Sequence, residues 1–203
     1  ACAVLLLPLC GLYEKLSRLV IHDDARHSQG VEHELQLLDD KFFTSPELAL
    51  SSSDEAIATM ARLACAGADS AMGALGAYDR AVIETVQENE QSIDMLADAV
   101  NNYLVRLSGH MEADDNSVLL NYYLQCFSEF ERIGDYAVNL TESAEELHAR
   151  GAQFSTTARQ ELAVLQGALH EIMGYAADAF TTRQARVARH IEPVEEVIDD
   201  LVE

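Results

Sequence analysis

Apolar residues recur at alternating three- and four-residue steps over long stretches of the chain, and this periodicity most constrains the fold. One stripe reads Val86, Ile93, Ala97, Val100, Leu104 and Leu107, which places its members on one face of a helix. Only 10 glycines and 3 prolines interrupt the 203 residues, so long helices are favoured over a sheet. The sequence therefore predicts an all-α protein.

Helix start and stop signals divide this pattern into segments. Ser45 followed by Pro46 is typical of a helix start, and Asp79 is placed to cap the next helix. The third long segment carries two adjacent apolar stripes, which indicates packing against two neighbours at once, as in a three-helix bundle. The predicted helices span residues 46–76, 80–109, 115–148 and 156–183, with a further one from 193 onward.

A short motif occurs twice, 105 residues apart. Both Glu90–Leu96 and Glu195–Leu201 read ExxIDxL, and each follows a long helix and a break. This spacing predicts a repeated helical unit. We expect one complete three-helix unit over residues 31–150 and part of a second over residues 151–203, whose third helix is missing from this sequence.

The first twenty residues open with an apolar run that Pro8 and Gly11 break. The run is about half of the ~20 residues that cross a bilayer, and no basic segment precedes it as in a signal peptide. From the residues alone, two interpretations stay open: a buried helix, or the cytoplasmic end of a membrane segment. The polar stretch 22–40 is interpreted as a linker with a short helix around 31–38.

The chain is strongly acidic, with 35 Asp and Glu against 13 Lys and Arg and a net charge of −22. Such a surface repels a phosphate backbone, so we expect no nucleic-acid binding. It attracts cations and basic partners, although an acidic surface also serves solubility. The four cysteines lack metal-binding spacing, and no nucleophile motif, phosphate loop or HExxH sequence is present. We therefore expect no enzymatic activity.

Three glutamates are each followed four residues later by an aspartate, which puts each pair on one helix face: Glu90/Asp94, Glu131/Asp135 and Glu195/Asp199. Glu90 and Glu131 replace apolar members of their stripes, at the interior or its edge. Ionised carboxylates there need a compensating cation or a basic partner such as Arg106 or Arg132. The alternative is an ordinary solvated acidic face, so spacing alone leaves metal binding and solvation both open.

The segment EFERIGDYAVNLTE, residues 129–142, resembles the signature of the PhoU family of phosphate-uptake regulators. The third and sixth helices of that family carry ERIGD-(H/Y)-A-x-N-I-x-E, and Tyr136 stands where histidine is common. The resemblance implies a PhoU-like antiparallel helical bundle. It also implies metal ligands for iron, zinc, manganese or magnesium at Glu90, Asp94, Glu131, Asp135, Asn139, Glu195 and Asp199.

More narrowly, residues 39–50, DDKFFTSPELAL, resemble the junction between the last membrane helix and the PhoU-like tail of bacterial Na/Pi cotransporters. This resemblance implies that residues 1–30 are the end of a membrane segment and a linker. The implied function is a non-catalytic regulatory domain at the cytoplasmic face of the membrane, with the transporter domain of the same chain and a second copy as partners. Two alternatives are a free-standing regulator of an ABC phosphate importer and its sensor kinase, or a metal-binding helical bundle.

Overall fold

The computed structural model describes residues 24–111 and 117–202. Within these ranges the chain is helical and has no strand, so the predicted all-α class is confirmed. The interpretation of residues 1–20 lies outside the described residues. The helices are α1 (Asp24–Leu37), a 3-10 helix (Asp40–Thr44), α2 (Pro46–Gly76), α3 (Arg80–Ser108), α4 (Ser117–Ala149), α5 (Thr156–Thr182), α6 (Ala185–Ala188) and α7 (Ile191–Val202).

The helices α2, α3 and α4 pack on one another more extensively than any other elements and form a three-helix bundle. Their apolar stripes meet in a common core, because residues three and four apart share a helix face. Side chains less than 2 % exposed come from all three helices and include Ile57, Met60, Leu104 and Tyr123. The predicted three-helix arrangement therefore agrees with the packing.

The start of α2 departs from the prediction in one detail. Ser45 occupies the N-cap position, but its side chain makes no capping hydrogen bond. The N–H of Leu48 instead donates to the backbone carbonyl of Ser45 at 3.0 Å, and Pro46 has no N–H to satisfy. At the start of α3 the expected cap is present, with the Asp79 carboxylate accepting from the N–H of Ala81 at 2.9 Å.

The interpretation of residues 22–40 as a linker with a short helix is wrong in extent. Helix α1 runs over Asp24–Leu37 and packs on α2 and α3, and Val31 is buried in the core. The sequence is only weakly periodic there, so its pattern did not predict the full length of the helix. The 3-10 helix follows, with Phe43 buried against the ring of Tyr103 at a centroid distance of 5.0 Å.

Helix α5 lies along α2, and α7 packs on α5. Phe180 is the one fully buried side chain of these two helices, and it meets Phe130 of α4 edge-on at 5.8 Å. Arg183, which ends α5 with a left-handed backbone (φ 53°), reaches across to Asp54 of α2 at 3.0 Å and donates to the hydroxyl of Tyr123. These contacts attach the second set of helices to the first.

The two copies of the repeated motif lie in different surroundings. In α3, Ile93 and Leu96 are 1 % and 0 % exposed, whereas in α7 the equivalent Ile198 is half-buried and Leu201 is 44 % exposed. Helix α7 begins at Ile191, two residues before Pro193. The division of the chain at residue 150 stays a prediction. None of the helices in the described ranges is both long and apolar enough to cross a membrane.

Candidate metal centre

Carboxylates gather along the seam where α3 meets α4. Buried Ile93 and Gly134 line the seam, and the two helices approach closely at this pair. The approach brings the residues next to them in sequence, Asp94 and Asp135, close together. Glu90 and Glu131 are both half-buried. The sequence placed these two glutamates at the interior or its edge, and the structure places them at the edge.

Three of the predicted residues form one group. A carboxylate oxygen from each of Glu90, Asp94 and Asp135 lies within 4.8 Å of the other two. Two oxygens that bind one cation at about 2.0–2.6 Å lie at most about 5 Å apart, so the group fits around a single ion. We call Glu90, Asp94, Glu131 and Asp135 the carboxylate cluster, since Glu131 interacts electrostatically with Asp94 and Asp135.

The cluster is under electrostatic strain without a cation. Burial, followed by the charges of Asp94 and Asp135, raises the pKa of both Glu90 and Glu131. Burial and the charge of Asp135 likewise raise the pKa of Asp94. Glu90, Asp94 and Glu131 thus hold their protons more tightly than they would in water, because burial and a neighbouring negative charge both disfavour ionisation. A bound cation would remove this penalty.

The basic side chains proposed as alternative partners are engaged elsewhere. Arg132 binds Glu129 on its own helix at 2.9 Å, and Arg106 binds Asp40 at 2.6 Å. Among the described residues, no Lys or Arg forms an ion pair with the carboxylate cluster. A cation from solution is therefore the remaining way to neutralise the cluster while all of its members are ionised.

The ligand set consists of oxygens. Carboxylates without histidine or cysteine suit hard cations such as magnesium, manganese or calcium, and also iron. Asn139 is exposed on α4, four residues after Asp135 and therefore on the same side of the helix. The residues present therefore fit a divalent cation, which would offset part of the negative charge of the cluster and hold α3 against α4.

Residues 57–144 match the family model of the PhoU domain. The chain contains a PhoU domain. The match begins within α2 and ends within α4, so it includes all of α3 and all of the carboxylate cluster. PhoU domains are regulatory helical domains with a role in phosphate homeostasis. The chain has no significant match among curated proteins or among solved structures.

The predicted ligands on α7 are not brought to this seam. Glu195 and Asp199 are exposed on α7, which packs on α5 and α6 and not on α3 or α4. They remain a separate pair of carboxylates. Sequence reasoning also missed Asp98, whose charge raises the pKa of Asp94 and Glu131. The signal was available, because Asp98 continues the four-residue step from Glu90 through Asp94.

Proposed function

We propose that this PhoU domain is the cytoplasmic regulatory domain of a sodium-dependent phosphate transporter, where it couples phosphate status to uptake without catalysing a reaction. The observation that carries the proposal is the PhoU match over residues 57–144, which includes the carboxylate cluster on α3 and α4. The similarity of residues 39–50 to a transporter junction supports the sodium-coupled form. We call residues 39–50 the junction.

The junction is fastened to one end of α3. Asp40 binds Arg106 at 2.6 Å, the hydroxyl of Tyr103 donates to the carbonyl of Asp39 at 3.4 Å, and Phe43 packs against Tyr103. A segment held in this way moves together with the last two turns of α3. This attachment provides a route by which the bundle can act on a membrane domain that precedes it.

Helix α3 connects the junction to the carboxylate cluster. Asp94 and Arg106 lie twelve residues apart on one uninterrupted helix, which is about 18 Å at 1.5 Å per residue. A cation at the cluster would draw the middle of α3 toward α4, since it replaces repulsion between the two helices with shared ligation. The other end of the same helix carries the junction, so cation occupancy and junction position are mechanically linked in this proposal.

Phosphate uptake in cells tests the regulatory role. We expect a transporter lacking residues 46–202 to take up phosphate at a rate that no longer adjusts between low and high external phosphate. Full-length protein with Phe43→Ala and Arg106→Gln should lose the same adjustment while the bundle stays folded. The matched control is Arg80→Gln, which removes an exposed arginine at the start of α3 that pairs with Glu84.

Uptake that adjusts normally in the deletion strain would reject the proposal. A change confined to uptake through an ABC-type importer would instead favour the free-standing regulator. Loss of adjustment in the deletion but not in the junction variant would keep the regulatory role and reject the route through α3.

A further inference from the structure

A cavity lies at the end of the bundle opposite the junction. It is formed by the last turns of α2 and α4, the connection between α4 and α5, and the first turns of α5, and its volume is about 320 Å³. Since a water molecule takes about 30 Å³ in the liquid, the space accommodates a molecule of roughly ten to fifteen non-hydrogen atoms. This is the lower end of the range of ligand sites in proteins.

Part of the cavity lining is polar and basic. It carries Arg159 of α5, Gln153 of the connection and His148 of α4, whose ring stacks on that of Tyr78 at 3.9 Å. No acidic residue is among the described residues that line the cavity, although the chain carries 35 Asp and Glu. Arg159 makes no ion pair with any described residue. This acidic protein therefore presents hydrogen-bond donors in the cavity, and the described lining holds no carboxylate to neutralise them.

The start of α5 adds to this character. Helix α5 begins at Thr156, where the Ser155 hydroxyl accepts from the N–H of Ala158, and its first turn has no acidic residue to offset the positive end of the helix dipole beside Arg159. The guanidinium group offers a planar set of donors that matches a carboxylate or a phosphate. The lining also includes the apolar side chains of Leu75, Leu147 and Phe154.

We propose that this cavity binds a small organic anion. Its acidic group, a carboxylate or a phosphate monoester, is held by Arg159 and His148, and its apolar or aromatic part packs against Leu147 and Phe154. A free inorganic anion makes no contact with the apolar side chains of the lining, and a neutral aromatic molecule leaves Arg159 without a partner. Both parts of the ligand are therefore required.

The proposal does not depend on the carboxylate cluster. Asp135 and His148 are thirteen residues apart along α4, which is about 20 Å. Substitution of Arg159 should leave cation binding at the cluster unchanged, and loss of the cluster should leave the cavity unchanged. The two sites can be tested separately in the same purified chain.

Binding is measured by ¹H–¹⁵N NMR titration of the purified chain with phenyl phosphate and with benzoate. Inorganic phosphate is the control for the acidic group alone, and phenol is the control for the ring alone. We expect saturable shifts confined to the amides of His148, Gln153 and Phe154 and their neighbours, with either aromatic acid. The controls should bind at least tenfold more weakly.

Two variants make the result specific. Arg159→Gln should weaken binding at least tenfold, whereas Arg186→Gln, which changes an exposed arginine of α6, should leave it unchanged. Ala152→Leu fills the cavity from the exposed connection and should abolish the shifts. The proposal is overturned if neither aromatic acid gives saturable shifts, if Arg159→Gln binds as the natural protein does, or if phosphate or phenol binds as tightly as the aromatic acids.

Discussion

Gly134 of α4 lies so close to Ile93 of α3 that a Cβ atom on the glycine would be 3.1 Å from the Cδ1 atom of the isoleucine. The glycine is the fourth residue of the ERIGD segment, and each residue of this pair is followed directly by a member of the carboxylate cluster, Asp135 and Asp94. The missing side chain thus sets how closely the two helices approach. The same approach brings the carboxylate groups within reach of one cation.

Gly134→Ala therefore tests the contact. Alanine gains about 1 kcal/mol of helix propensity, but overpacking a buried contact costs about 1–3 kcal/mol. We expect a net loss of about 0–2 kcal/mol in the free energy of unfolding, measured by urea denaturation. Ile93→Val removes the Cδ1 atom and should recover most of the loss in the double variant.

Gly67→Ala is the matched control for this substitution. Gly67 is also buried in a helix, but its added Cβ would lie 3.7 Å from the Cβ of Ala137, an ordinary contact. We expect this variant to be as stable as the natural protein or up to about 1 kcal/mol more stable. Equal behaviour of the two alanine variants would contradict the role assigned to the contact between Gly134 and Ile93.

Divalent cations should stabilise the bundle through the carboxylate cluster. At a free concentration of one hundred times the dissociation constant, a ligand that binds only the folded state adds about 2.7 kcal/mol. We expect manganese to raise the thermal midpoint by several degrees, as measured by circular dichroism. Asp94→Asn with Asp135→Asn should remove this increase, since both substitutions delete a charged ligand and keep the side-chain size.

The control for that pair is Glu88→Gln with Glu145→Gln. Both are exposed acids, one on α3 and one on α4, and neither belongs to the cluster. They should respond to manganese as the natural protein does. An equal response in the cluster variant would show that the cation acts through general surface charge.

The stability of the cation-free protein should fall as pH rises. The pKa values of Glu90, Asp94 and Glu131 are raised in the folded state, first by burial and then by neighbouring carboxylates. Their contribution to stability is therefore complete below their unfolded pKa values, about 4, and is lost as pH rises through the higher folded values. Asp39, whose lowered pKa comes from hydrogen bonding to Lys41, contributes in the opposite sense.

Thermal midpoints between about pH 5 and pH 7.5 check this expectation. The midpoint should decrease across the range in the presence of a chelator, and Glu90→Gln with Glu131→Gln should flatten the decrease. Saturating manganese should reverse the slope, because protons compete with the cation for the same oxygens. A slope that the double variant leaves unchanged would assign the effect to the net charge of −22 instead.

Arg183 connects the second set of helices to the first, and its backbone and side chain can be tested apart. Arg183→Ala should lose about 1 kcal/mol of stability, because it removes the contacts with Asp54 and Tyr123 at a partly exposed site. Arg183→Gly removes the same contacts but relieves the left-handed backbone, so it should be about 1 kcal/mol more stable than the alanine variant. Urea denaturation of both variants, with Arg186→Ala as control, distinguishes the two effects.

The long helices and their buried faces were predictable because apolar periodicity reports burial directly. The Asp79 cap was predictable for a different reason, because an N-cap depends only on the residue type at the start of the helix. Helix α1 was underestimated because its sequence is only weakly periodic, and Val31 enters the core through contacts with helices distant in sequence. The spacing of Glu90, Asp94 and Asp135 showed which helix face each occupies. Their carboxylate oxygens lie within 4.8 Å of one another because of the way α3 packs against α4. The apolar pattern of a single helix carries no information about that packing.

The two copies of the ExxIDxL motif give the chain an internal comparison. Ile93 and Leu96 are enclosed by the bundle, while Ile198 is half-buried and Leu201 is exposed on α7. In a library that carries every amino acid at these four positions and is selected for function, polar residues should be lost at positions 93 and 96. They should persist at 198 and 201 if α7 makes only the contacts described above. Equal loss of polar residues at 198 and 201 would show that α7 has a further binding surface.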